Sequence, residues 1–306
     1  MSPGIDIGST DWSPAHGLIG EGQSIWTAWN FDLQIILLLV LAASIYIRGL
    51  KRWPERSREH RWWHTASYLT GLLLLLLVSE SPLDRLAEHH FSMHMVQHMV
   101  MVMIAVPLVL IGAPTTPLLR GLPKSIKRGV IAPLAASRTA RSLYRLITHP
   151  LVAFALYSIA VGVWHVIPTW YDAAARDQVI HDVQHLSFLG GAFLFWWTVI
   201  DPAPLHARMG HLLRIAYVVA AATYQAALGA FITLSDGLLY SAYTDVRPVF
   251  DVSPLADQEL GGLIMWIGGQ MLHLFVVGGL FAVWAVESEK RQREREGRSS
   301  EMGETW

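Results

Sequence analysis

Seven stretches of the chain are apolar almost without interruption, at residues 31–49, 64–80, 91–112, 150–168, 183–200, 212–234 and 261–286. Each is close to the roughly twenty residues that an α-helix needs to cross a bilayer. In lipid every backbone polar group must be satisfied inside its own segment, so the pattern predicts helices and not open strands. The expected fold is all-α: a polytopic membrane protein built as a seven-transmembrane-helix bundle.

The polar connections set the expected orientation. Twenty of the 23 Lys and Arg residues fall in the first, third and fifth connections and the C-terminal tail, against Arg85, Arg176 and Arg247 on the other side. The positive-inside rule then puts the N-terminus outside and the C-terminus in the cytoplasm. This divides the chain into an extracytoplasmic tail over residues 1–30, a transmembrane domain over 31–286 and a charged cytoplasmic tail over 287–306. Residues 1–30 hold no Lys or Arg and no apolar stretch, so no signal peptide is expected. Trp26, Trp29, Trp62, Trp63, Trp196, Trp197 and Trp284 sit at segment ends, where an aromatic belt is expected. Leu143, Leu146 and Ile147 opposite Arg138, Arg141 and Arg145 predict an amphipathic helix on the cytoplasmic leaflet.

Composition narrows the chemistry. Charged residues make up 15% of the chain and hydrophobic ones 53%, well away from the balance of soluble domains. A net charge of −1 argues against a nucleic-acid partner. With 14 His and no Cys, thiolate metal sites and thiol nucleophiles are excluded, and the metal-ligand inventory is His, Met and carboxylate. No nucleophile–base pair or cofactor fingerprint suggests an enzyme.

Two related motifs then stand out, His94-Met-Val-Gln97-His98 and His181-Asp-Val-Gln184-His185, each opening an apolar segment. Residues four apart share a helix face, so each motif presents two imidazoles together, with Gln97 and Met101 expected on the stripe of His94 and His98. Polar groups that deep in an apolar segment are costly without partners. His165 closes the fourth segment and His273 lies near the middle of the seventh. With His94, His98, His181 and His185 they are expected to line a pocket that opens outward and narrows inward. Glu80, Asp84, Asp172, Asp177 and Asp182 would orient the ligands from a second layer. The other histidines are expected at surfaces or interfaces: His89 and His90 in an outer loop, His60, His64, His149, His206 and His211 on the cytoplasmic side. Imidazole with a thioether, Met101, suits copper first and zinc second. Two facing histidines would also serve as axial ligands of a b-type haem or in a quinone redox protein, and a metal-free scaffold would use them only to hydrogen-bond one another. Pro107 is expected to kink the third helix, Gly112-Ala113-Pro114 to end it, and the Gly-Gly pairs at 190, 261, 268 and 278 to allow close helix contact.

Residues Phe91 to His98, Pro107-Leu108 and Gly112-Ala113-Pro114 resemble the signature of the membrane-embedded CtaG family of cytochrome c oxidase assembly factors. Trp164-His165 with Pro168, Tyr171-Asp172, His181, His185 and Phe195-Trp196-Trp197 resemble its second block, and Asp257-Gln258 through Met265-Trp266 its third. The resemblance implies a multi-pass protein of the bacterial plasma membrane that helps to supply copper to the oxidase copper centre, with an oxidase subunit or another copper chaperone as partner. It implies His94, His98, His165, His181 and His185 as ligands.

Overall fold

A computed structural model describes residues 24–55, 60–202 and 209–303. The tail expected over 1–30 therefore lies outside the described residues as far as residue 23, and so does His206. The described chain is helical: α1 Leu33–Lys51, α2 Trp62–Glu80, α3 Pro82–His89, α4 Phe91–Ile111, α5 Thr115–Gly121, α6 Arg138–Ile147, α7 Pro150–Val166, α8 Pro168–Arg176, α9 Gln178–Ile200 and α10 His211–Thr233. The last helix, α11, runs through Pro254–Leu263, Ile264–Gly268 and Gly269–Gly303.

Six of these, α1, α2, α4, α9, α10 and α11, are long and apolar enough to cross a membrane. α7 has 17 residues and meets that standard only together with α6, across a bend of 66°. It stops at Val166 because Ile167 precedes a proline and is driven out of the helical region, with φ −107° and ψ 94°. The helices are those of a multi-pass membrane protein.

α4 is the central element. Buried positions make up 67% of its apolar window, against 17% for α1, which turns Leu33, Leu37, Leu38 and Leu41 outward. α4 packs on α2, α9 and the start of α11, while α7 packs along α9 and α10 along α11. Helices come close where side chains are missing: a Cβ on Gly262 of α11 would meet Thr233 and the backbone of Gly229 in α10. Of the Gly-Gly pairs, Gly191, Gly261, Gly262 and Gly269 lie against neighbouring helices, whereas Gly190, Gly268, Gly278 and Gly279 face open space.

Pro107 acts by a wide turn. Residues Met101–Ala105 form a π-helical turn in which the Val106 N–H reaches Met101 O. Val102 O thus loses its usual donor to that shift, and Pro107 has no N–H to replace it. The indole Nε1–H of Trp196 donates to Val102 O at 2.8 Å. Trp196 is 1% exposed and belongs to the core, not to an interfacial belt as its place in the sequence suggested, because this carbonyl needs a donor. Trp26 and Trp62, each 80% exposed, do fit a belt.

The helix ends sort into two groups. At one end lie the start of α1, the end of α2, α3, α8 and the 234–253 loop; Asp32 N–H donates to Glu80 at 2.9 Å there. At the other end α4 finishes with Ala113 in the left-handed region, φ 44°, and Tyr46 donates to Gly112 O at 2.9 Å. His60 is buried at this end, 2.9 Å from the Tyr46 hydroxyl, and is a packing residue instead of a surface one. Arg48, Arg52, Arg120, Lys124 and Lys127 line a basic pocket beside it. α6 is the amphipathic helix expected, capped by Ser137 and exposing Leu143 and Leu146.

Candidate metal centre

His94 and His98 occupy the first two turns of α4, and His181 and His185 the first two turns of α9. Both helices begin at the same end of the bundle, so the four rings meet. Ring centroids are 4.3 Å apart for His94 and His98, 4.1 Å for His181 and His185, 5.4 Å for His94 and His181 and 5.0 Å for His98 and His185. One ring nitrogen from each of His94, His98 and His185 lies within 4.8 Å of the other two. His98 Nε2 and His185 Nε2 are 3.1 Å apart. Metal–imidazole bonds are about 2 Å long, so a small rotation of the rings suffices to place all three nitrogens on one ion. His165 joins from α7, its ring 6.3 Å from that of His98. Its Nδ1–H donates to Val161 O at 2.7 Å, which fixes the tautomer and leaves Nε2 with its lone pair.

A lid of tyrosines covers the group. The hydroxyls of Tyr243 and Tyr171 lie 2.9 and 3.0 Å from His94 Nδ1 and 3.2 Å from each other. Burial pushes both phenols well above their usual range, so they remain neutral at physiological pH. Tyr243 is held by the loop around it. Asp172 accepts from Ser241 N, Ser241 Oγ and Ala242 N, and Gln258 Oε1 accepts from Leu239 N at 2.7 Å. Asp257 accepts from Phe91 N at 2.6 Å and from the Ser92 hydroxyl, capping α4 from a different helix.

The sequence model of the cytochrome c oxidase caa3 assembly factor family matches residues 44–287. The chain belongs to this family. It is 28% identical over 284 residues to uncharacterised proteins of Mycobacterium bovis and Mycobacterium tuberculosis, a match that covers 90% of the chain and 42% of each relative. An uncharacterised protein of Mycobacterium leprae is 26% identical over 273 residues, 87% of this chain and 40% of the relative. The chain thus spans about two-fifths of the length of the curated relatives it matches. No solved structure matches it.

In this member of the family five of the expected ligands, His94, His98, His165, His181 and His185, come together, and two stand apart. Among the described residues His273 has no ring contact with the others; it is buried in α11, its Nδ1–H donating to Gly269 O at 2.8 Å. Met101 is buried in the core but does not line the cavity next to His98, which takes Met95, Met99 and Met103 instead. Gln97 also leaves the stripe: its amide donates to Val78 O and Asp84 Oδ1, both at 2.7 Å, and ties α4 to the α2–α3 corner. The five histidines are roofed, not held in an open funnel, because the 234–253 loop closes over the helix ends. His90 accepts from Val249 N and Phe250 N at 3.0 and 3.1 Å, and His89 Nδ1–H donates to Arg247 O at 2.8 Å, so both are buried anchors of that loop.

The carboxylates expected to orient ligands have other work. Asp84 binds Gln97, Asp172 binds the loop, Asp177 caps α9 at Ile180 N and Asp182 accepts from Gln178. Tyr171 and Tyr243 take the orienting place. The Tyr171-Asp172 pair was visible in the sequence, but a phenol far from any histidine in sequence gives no spacing signal of its own.

Proposed function

We propose that this assembly factor binds copper through His94, His98 and His185 and hands it to the oxidase copper centre, to an oxidase subunit directly or through another copper chaperone. The observation that carries the reading is the convergence of those three ring nitrogens within 4.8 Å. A trio of neutral imidazoles with no Cys in the chain is a borderline-to-soft donor set, suited to copper and then to zinc. Three ligands leave a coordination position for the recipient, as a carrier requires. His181 and His165 flank the trio, and the two tyrosines hold His94 in place.

With α7 counted as a span the bundle has seven, and the N-terminus lies outside. The basic pocket at Arg48, Arg52 and Arg120 then faces the cytoplasm, and the histidines face outward, towards the side where the recipient would take up copper. Haem fits less well, because His98 and His185 meet at 3.1 Å with no slot between them for a porphyrin.

The test is complementation in a host that lacks its own caa3 assembly factor, reading the copper content and activity of the oxidase. The wild-type chain restores both, and His98→Ala restores neither while reaching the membrane at the same level. Full restoration by His98→Ala would leave the protein a metal-free scaffold.

A further inference from the structure

Next to His98 lies a small cavity of about 30 Å³ whose wall carries Met95, Met99, Met103, Met265, His165 and Gln225. We propose that it is a second Cu(I) site, ligated by thioethers and His165, with His98 of the imidazole trio forming the wall between the two. This inference rests on the copper reading above.

The placement follows from the helices. Met95, Met99 and Met103 recur every fourth residue on α4, in the row next to that of His94 and His98, and Met265 faces them from the π-helical turn of α11. Thioether sulfur is the soft donor that selects Cu(I) over harder ions. Two buried polar atoms on the wall need a ligand. His165 Nε2 has no hydrogen-bond partner, and the residue is 2% exposed. Gln225, 3% exposed, donates its amide N–H to Met99 Sδ at 3.1 Å, yet its Oε1 has no partner either. Orphan acceptors of this kind are costly to bury. A cation bound at His165 Nε2 would satisfy the imidazole outright, and the cavity has room for an ion or a water. Passage of Cu(I) from the trio to this chamber is ligand exchange alone: imidazole bonds break, thioether bonds form, and no electron or proton is consumed.

The test uses the full chain in detergent, loaded anaerobically with Cu(I) and desalted, with copper per chain and copper X-ray absorption as readouts. Wild type is expected to hold two ions with mixed nitrogen and sulfur scattering. Met95→Leu/Met99→Leu, close in volume to wild type, is expected to keep one ion and lose the sulfur contribution. His94→Ala/His185→Ala is expected to keep one ion that retains sulfur, and the exposed Met271→Leu to match wild type. One ion with nitrogen scattering only in wild type would overturn the second site, with water in the cavity, while leaving the imidazole site standing. No copper in any form would overturn both.

Discussion

His98 Nε2 and His185 Nε2 face each other at 3.1 Å across the α4–α9 interface. Two neutral imidazole nitrogens at that distance are compatible only when one carries the proton and the other accepts it. Binding an ion at both therefore requires one ring to move its proton to Nδ1, a tautomer change and not a net loss of charge. Copper affinity should thus be flat above about pH 7. It should fall roughly tenfold per pH unit once acid protonates one of the rings. Chelator competition between pH 5 and 8 checks this, and affinity that rises on acidification would show that the imidazoles are not the ligands.

Tyr243 and Tyr171 are positioning residues for His94. Loss of a hydrogen bond behind a ligating histidine commonly weakens metal binding 10–100-fold. Tyr243→Phe is expected to lower copper affinity within that range with the protein still folded, and the more exposed Tyr144→Phe to have no effect. Equal affinities for Tyr243→Phe and wild type would place the ion away from His94.

Asp257 acts at a distance through the start of α4. Asp257→Ala removes the cap at Phe91 N and Ser92 and the carboxylate 3.6 Å from His90, the residue that holds Val249 and Phe250 of the 234–253 loop. A lost cap costs about 0.5–2 kcal/mol. Thermal unfolding in detergent should shift accordingly, and amides around Tyr243 should exchange faster with deuterium. Unchanged exchange in that loop would show that Asp257 caps α4 without steadying the lid.

Trp196→Phe tests the wide turn at Met101–Ala105. Without the indole N–H, Val102 O is buried with no donor, a loss of about 1 kcal/mol in a membrane bundle. A lower unfolding midpoint is expected for Trp196→Phe and none for the exposed Trp62→Phe. Equal midpoints would mean that the turn finds another donor.

Much of this was legible in the chain because the signals are local. Apolar length marked the membrane helices to within a few residues, except that α9 starts earlier, at Gln178, and α11 runs past its apolar core at both ends, from Pro254 to Gly303. The spacing of His94 with His98 and of His181 with His185 predicted two same-face pairs, and four of those rings do meet. What was hidden depends on contacts between distant segments. Gln97 points to Asp84, Trp196 enters the core, and Asp257 caps a helix 166 residues away. Helix periodicity also favoured Met101 over Met95 and Met99, since it cannot show which row of α4 meets α7, α10 and α11.

Whether the imidazole trio holds copper is read from copper per chain in the detergent-purified protein after Cu(I) exposure. Wild type should be compared with His94→Ala, His98→Ala, His185→Ala and His211→Ala. Copper at the trio is expected to be lost in each of the first three variants and kept in His211→Ala, whose imidazole lies 3.7 Å from Glu287 on another face. Copper retained equally by all four variants would contradict copper binding at the trio.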